Sequence, residues 1–547
     1  MAEQLSYSHG AIDRPLLGET IGENLRRTVE RHPNHEAFIF RSQGIRASYR
    51  RFWDDTTRLA KALLRLGVSV GERVSIWSPN RYEWPVVQYA TARIGAILVN
   101  VNPSFRGAEL AFALSQSGST VLIHAAGFRG ADYGEILKSV RSELTDLRTV
   151  VRLETEWENC LASGDAVADA ELHSRECALS FDDPINIQYT SGTTGRPKGA
   201  TLTHHNILNN GWFVGEALRL TNCDRVCVPV PFYHCFGMVL GNLACTSHGA
   251  AVVVPSEAFD PRAVLEAVEA ERCSALYGVP TMFIAVLDHP DFARCNVSTL
   301  RTGIMAGSPC PIDLMRRVVR DLHMPEVAIG YGMTEMSPIA TFTAPDDPLD
   351  RRVGTVGRVF AHVEARIADP ANGRTVPRGM PGEFCARGYS IMRGYWDDPT
   401  ATNQVIDSAG WMHSGDLAVM DDAGYVHIVG RIKDIIIRGG ENISPREIEE
   451  VLLTHPSVSD AQVVGVPSVR YGEEVMAWIR LRQGCSTASD ELARFCAGKL
   501  APFKIPRVWK FVAEFPQTVT GKVQKYRLRE MAVAELHLES AAEIRTA

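Results

Sequence analysis

No stretch of this chain is apolar for long enough to cross a bilayer. Its first ten residues, Met-Ala-Glu-Gln-Leu-Ser-Tyr-Ser-His-Gly, lack both a basic start and an apolar segment. Neither a transmembrane segment nor a secretory leader is expected, and the chain reads as cytoplasmic. It also lacks a basic excess. With 57 Lys and Arg against 64 Asp and Glu, the formal net charge is -7, so no nucleic-acid partner is expected. Cysteine is scarce, twelve in 547 residues, and in a chain without a leader these thiols are read as reduced. Cys223, Cys227, Cys235 and Cys245 cluster beside His234, but no Cys-x2-Cys pair is present. Cys227 lies in the apolar run 226–230, so a buried thiol is read there rather than a zinc ligand. Repeats and low-complexity blocks are missing too. What remains is an ordinary globular composition, 45% hydrophobic and 22% charged, in a chain too long for one core.

Against these absences stands Tyr189-Thr-Ser-Gly-Thr-Thr-Gly-Arg-Pro-Lys-Gly199. Gly192 and Gly195 let the backbone approach a phosphate and turn N–H groups toward it. Thr190, Ser191, Thr193 and Thr194 add hydroxyl donors, and Lys198 adds a positive charge. Gly195 is followed by Arg196-Pro197-Lys198 rather than Lys-Ser/Thr, so this is not the Walker A pattern of P-loop NTPases. A nucleotide triphosphate is the ligand such a loop suits.

Alternating helical and strand-like segments through residue 430 indicate α/β layers. Phe52, Leu59, Leu63 and Leu66 share one helical face, with Gly67 as the stop. Buried strands are expected at 96–100, 120–124 and 250–254, the first two flanking a helix. Asp421-Asp-Ala-Gly424 should turn a hairpin between 417–420 and 425–429. Antiparallel pairing then brings Asp416 near Arg431. Beyond it come a strand at 434–438 and the Gly439-Gly440 turn. Ser444-Pro445-Arg446-Glu447 reads as a capping box opening a helix through Ile448, Val451 and Leu452. The boundary is set at 430/431, giving a large domain over 1–430 and a small α+β domain over 431–547.

Four further segments stand in a set order after the loop: Phe232-Tyr-His-Cys-Phe-Gly237, Gly330-Tyr-Gly-Met-Thr-Glu335, Ser414-Gly-Asp416 with Gly430-Arg431-Ile-Lys-Asp434, and Thr518-Val-Thr-Gly-Lys522. With these five motifs the chain resembles, from about residue 20 to residue 530, the adenylate-forming superfamily of acyl-CoA synthetases, carrier-protein adenylation domains and beetle luciferases. It is similar in particular to bacterial fatty-acyl-CoA synthetases related to acyl-CoA synthetase family member 2, partly through Ser6-Tyr-Ser-His-Gly10 and Pro15-Leu-Leu-Gly18. The resemblance implies a large multi-subdomain adenylating domain and a small mobile C-terminal domain.

It also implies roles. Residues 190–198 would hold the leaving pyrophosphate. Tyr331, between Gly330 and Gly332 and followed by Met333, would lie against adenine, and Thr334 would touch the α-phosphate. Gly307, Ser308 and Pro309 match the adenine-side loop, although the sequence there is Ala306-Gly-Ser-Pro309 rather than Gly-Gly-Ala-Pro. Glu335 suits magnesium, which binds through one or two carboxylates plus substrate phosphates. Asp416 with Arg431 would take the ribose. His234 would stand between the nucleotide and acyl sites, Lys522 would serve the first half-reaction, and Lys433 matches the hinge. Gly439 and Gly440 would line the pantetheine passage.

The implied reaction joins a fatty acid to coenzyme A at the expense of MgATP, through an acyl-adenylate. The acyl pocket would be bounded by His234, Phe236, Gly237, residues 279–281 and residues 336–338, which carry no charged cluster, so a medium-chain acid is favoured. Transfer to a carrier-protein thiol, or a non-catalytic acyl or nucleotide sensor, are the rival readings. A monomer and a homodimer both stay open.

Overall fold

Runs of β-branched residues alternating with amphipathic helices build an α/β fold with a large N-terminal domain and a small C-terminal one. The computed structural model describes residues 4–190, 197–308, 310–438, 441–468, 470–497, 499–517 and 523–538. The chain divides into two units. One comprises Ser8–Ala365 with Ala386–His413, the other Met1–Tyr7, Arg366–Cys385 and Ser414–Ala547.

Two large sheets dominate the larger unit. In the first, seven strands run in the order Gly394–Tyr395, Lys198–Thr203, Pro184–Thr190, Ile97–Val101, Arg73–Trp77, Ser119–His124 and Thr149–Arg152. The last five are mutually parallel. Two of the expected strands thus exist, on either side of Arg73–Trp77, with the helix Gly107–Ser117 between them in sequence. The second sheet has nine strands, and its centre is parallel: Glu326–Gly332, Thr302–Ala306, Ala275–Gly278, Arg225–Cys227, Ala251–Val254 and Glu36–Phe40. Ile39, Val253, Leu276, Met305 and Ile329 of these strands pack in one buried cluster with helical Val264, Val268 and Met315. The helix Tyr49–Arg65 turns Phe52, Leu59 and Leu63 fully inward. Ser48 caps it by accepting the Arg51 N–H, and Gly67 leaves it at φ 78°.

The smaller unit obeys a period of two. Along Val458–Ser468 and Gly472–Leu481, Val463, Val475, Ala477 and Ile479 face one core. Val464, Val466, Met476 and Trp478 face another. Ile448 and Leu452 of Pro445–Leu453 and Leu492 of Ser489–Ala497 cover the first, Leu528 and Ala532 of Lys525–Glu535 the second. The expected hairpin is present, with Asp416 opposite Arg431. The capping box is not. Pro445 opens the helix as expected, but Ser444 Oγ donates to the Val429 carbonyl 2.5 Å away and makes no cap bond. Glu447 instead pairs with Lys504 at 2.7 Å.

One buried group couples the larger unit to pH. His204, first residue of the helix His204–Ala217, is fully buried; its Nδ1 accepts the Ile21 N–H at 3.2 Å. Nε2 has no partner among the described residues. Burial pushes this imidazole down to about 3 from its ordinary 6.5. The unfolded ring takes up a proton below 6.5 that the folded ring refuses. The stability it confers is therefore intact above 6.5 and is lost as pH falls toward 3, at roughly 1.4 kcal/mol per pH unit. We expect the urea midpoint to drop more steeply from pH 6.5 to about 5 in the wild type than in His204→Asn. The asparagine oxygen can still accept the Ile21 N–H but cannot titrate. Parallel slopes in the two proteins would show that other groups set the acid limit.

Candidate active site

Two sheet ends in the larger unit supply most of the expected residues that the structure describes. Thr302–Ala306 and Glu326–Gly332 run side by side with Ala306 next to Gly330. Gly307-Ser308 and Tyr331 therefore sit at the same carboxyl end, where parallel α/β sheets hold ligands. Gly307 takes φ 92°, a left-handed conformation that favours glycine. A Cβ on Gly330 would come within 2.7 Å of the Ile339 side chain, and one on Gly332 within 1.9 Å of the Pro338 carbonyl oxygen. These glycines let the antiparallel strand Ile339–Phe342 close against the Tyr331 strand. After Met333 the chain makes a tight turn, Thr334–Met336, that buries Thr334 and Glu335.

In the seven-stranded sheet, Pro184–Thr190 pairs antiparallel with Lys198–Thr203, Thr190 lying opposite Lys198. The expected phosphate loop thus connects two antiparallel strands. Thr190, Pro197 and Lys198 are at its two ends, while Ser191, Gly192, Thr193, Thr194, Gly195 and Arg196 lie outside the described residues. Thr190 Oγ1 reaches Glu335 Oε1 at 3.3 Å. The Tyr395 hydroxyl donates to the same oxygen at 2.9 Å. Lys198 Nζ stands 5.0 Å from the centre of the Tyr395 ring. Burial, followed by the neighbouring Glu335 charge, raises the Tyr395 phenol far above its ordinary range, so it stays a donor at neutral pH. One buried carboxylate beside the hairpin that carries the expected phosphate loop is a donor set that fits magnesium, the remaining ligands coming from substrate phosphates. When bound, the ion would neutralise phosphate charge.

His234 sits in a turn held from both sides. Asn80 accepts the Phe232 N–H at 2.8 Å and donates to the Val230 carbonyl at 3.0 Å. Asn100 donates to the Tyr233 carbonyl at 3.0 Å, and Asn186 donates to Asn100 Oδ1 at 2.9 Å. The Cys235 thiol, pushed up to about 12 by burial, donates to Gln188 Oε1 at 3.0 Å. The Phe236 N–H donates to His234 Nδ1 at 3.2 Å, so that nitrogen serves as an acceptor within the turn. A stretch of π-helix, Phe236–Leu243, follows; such wide turns are frequent at functional sites. A Cβ on Gly237 would meet the Pro231 carbonyl oxygen at 2.5 Å, so the turn requires glycine there.

Asp416 and Arg431, the pair expected to take the ribose, belong to the smaller unit. Arg431 Nε donates to Asp416 Oδ1 at 2.9 Å, with the aspartate nearly buried and the arginine more than half exposed. Ser414 Oγ accepts the Asp416 N–H at 3.0 Å and donates to the Phe384 carbonyl at 2.6 Å, which fixes the part of the strand Met412–Met420 that carries the carboxylate. Pro309, Gly439, Gly440 and Lys522 lie outside the described residues.

The AMP-binding enzyme family model matches residues 25–396, and that of the AMP-binding enzyme C-terminal domain matches residues 447–522. The chain belongs to the AMP-binding enzyme family. It is an AMP-forming ligase. Among relatives of this AMP-binding enzyme, YngI of Bacillus subtilis (strain 168) is 47% identical, over 96% of this chain and 99% of its own. The medium-chain acyl-CoA ligase ACSF2, mitochondrial, of Danio rerio is 42% identical, over 97% and 91%. A solved structure of the anthranilate CoA ligase AuaEII in complex with anthranoyl-AMP is similar at a TM-score of 0.85 and 26% identity, covering 96% of this chain and 99% of that one.

Sequence reasoning passed over Tyr395, Asn100, Asn186 and Gln188 in this AMP-binding enzyme. A signal existed for the last three. Asn and Gln inside otherwise apolar strands must find hydrogen-bond partners once buried, and those partners are the His234 turn and one another. Tyr395, in Gly394-Tyr395-Trp396, has no such mark.

Proposed function

We propose that this AMP-binding enzyme is an ATP-dependent fatty acid–CoA ligase that favours medium-chain acids. The observation that carries the reading is the buried Glu335 carboxylate at the end of the phosphate-loop hairpin, bonded to Thr190. The full-length likeness to a relative named as a medium-chain acyl-CoA ligase supports the acyl class and the use of coenzyme A.

A carboxylate oxygen of the acid attacks the α-phosphorus of ATP. The bond from that phosphorus to the bridging oxygen breaks, and pyrophosphate leaves. The coenzyme A sulfur then attacks the acyl carbon, AMP departs with its oxygen, and the thiol proton passes to solvent. Thr190, Lys198 and residues 191–197 hold the leaving pyrophosphate, with Glu335 holding the magnesium ion. Tyr331 and residues 307–309 take the adenine, Thr334 the α-phosphate, and Asp416 with Arg431 the ribose. His234 stands between the nucleotide and acyl sites, Lys522 acts in the first step, and Gly439-Gly440 flank the pantetheine arm in the second. We place the chain in the cytoplasm, and no helix among the described residues is long and apolar enough to cross a membrane.

The acyl side carries the chain-length reading. Phe236, Val279 and Met336 are buried apolar residues near His234 in sequence or at the sheet ends. Burial of each methylene contributes about 0.8 kcal/mol, so two added carbons should raise kcat/KM about tenfold until the pocket is full. Beyond that length overpacking reverses the gain. Pyrophosphate release measured across straight-chain acids of graded length, with and without coenzyme A, tests this. A maximum with acetate or an aromatic acid would end the medium-chain reading. Turnover that stays at one acyl-adenylate per enzyme despite free coenzyme A would point to a carrier-protein acceptor.

A further inference from the structure

Tyr395 belongs to none of the five motifs, yet it meets two of them at once. It sits on the two-residue strand Gly394–Tyr395, paired to the outgoing strand of the phosphate-loop hairpin with Tyr395 opposite Ala200. Its backbone N–H donates to Thr402 Oγ1 at 2.9 Å, and Thr402 is itself tied to the Asp398 carbonyl at 2.8 Å. The ring is therefore carried on a fixed support. From there its hydroxyl donates to Glu335 Oε1 and its face meets the Lys198 ammonium. Thr190 donates to that same Oε1. Met392, three residues before Tyr395, donates its N–H to the Glu335 carbonyl at 2.9 Å, so the side chain and backbone of Glu335 are both held by this segment.

We propose that Tyr395 is a positioning residue for magnesium and phosphate binding: its hydroxyl fixes the Glu335 carboxylate with Oε1 engaged and Oε2 turned to the cation, while its ring holds Lys198 for the triphosphate. This rests on the reading of Glu335 as the metal-binding carboxylate. A carboxylate on a free side chain must be ordered each time an ion binds, and here two hydroxyl donors have already ordered it. The ring adds a second function. A lysine at a phosphate site is a mobile point charge on a flexible stem, and an aromatic face limits where it can rest.

The two contacts separate by mutation. Tyr395→Phe keeps the ring and removes only the hydroxyl. Manganese, followed by electron paramagnetic resonance in the presence of ATP, is the probe of the cation site, and metal-free ATP binding by calorimetry is the probe of Lys198. Tyr395→Phe should weaken manganese binding about tenfold, the loss expected for one hydrogen bond to a charged group, with metal-free ATP affinity unchanged. Tyr395→Leu should weaken both. The double variant Tyr395→Phe/Glu335→Gln should bind manganese no more weakly than Glu335→Gln alone, because the hydroxyl acts through that carboxylate. Wild-type manganese affinity in Tyr395→Phe, or additive losses in the double variant, overturns the proposal. If Glu335→Gln itself leaves manganese binding intact, the metal assignment fails instead. Should Tyr395→Phe melt early, the cycle still decides, since general destabilisation gives additive losses.

Discussion

Replacing Lys522 by alanine should slow acyl-adenylate formation roughly 10²- to 10³-fold, while thioester formation from supplied acyl-adenylate continues near the wild-type rate. The asymmetry follows from charge. In the first step an acyl carboxylate, already ionised at neutral pH, approaches a phosphorus surrounded by anionic oxygens, so no general base is required but a fixed cation is. In the second step a thiol meets a carbonyl carbon, and two anions no longer converge. Lys522 lies outside the described residues, and its role comes from the resemblance of Thr518-Val-Thr-Gly-Lys522 to the family motif. ATP–pyrophosphate exchange reports the first half-reaction, and coenzyme A consumption with synthetic acyl-adenylate reports the second. Equal losses in both would mean that the lysine serves binding or folding in general.

The parts of this molecule legible in the sequence are those set by local chemistry. Helical spacing of Phe52, Leu59 and Leu63 ending at Gly67 gave the helix Tyr49–Arg65, because one apolar face and one left-handed stop suffice. The turn residues 421–424 placed Asp416 opposite Arg431, because a tight turn fixes register on its own. Where a side chain has a choice of partners, local pattern misleads. Ser444 resembles a helix cap, but its hydroxyl is turned toward the Val429 carbonyl, to which it donates, and makes no cap bond. Long-range pairing is least visible. Thr190 and Glu335 are 145 residues apart and meet because strands of two different sheets end near each other. Tyr395 joins them from a further segment of chain. The glycines flanking Tyr331 look like adaptations to a ligand, yet the Cβ contacts show that Gly332 is also demanded by the neighbouring Pro338 backbone. Buried Asn100, Asn186 and Gln188 belong with this group: their polarity is evident in the sequence, but the turn they hold is more than 40 residues away.

Asp416→Ala should raise the KM for ATP about 10- to 100-fold, because an ionised carboxylate that accepts two ribose hydroxyls makes two charge-assisted bonds. A structural explanation competes, in which Asp416 merely pairs with Arg431. That pair is weak as a fold element. Arg431 is 56% exposed on its side chain, and ion pairs with such an exposed partner contribute about 0.2–1 kcal/mol, so the variant's melting temperature should move little. Nucleotide analogues separate the two explanations. If Asp416 grips the ribose, 2′-deoxy-ATP and 3′-deoxy-ATP are poorer than ATP for the wild type, and the difference vanishes in Asp416→Ala because the hydroxyls have lost their acceptor. If Asp416 only supports the hairpin, the variant weakens ATP and both analogues by the same factor and the preference for ribose persists. A preserved preference together with a lowered melting temperature would remove Asp416 from the nucleotide site and leave it a structural partner of Arg431.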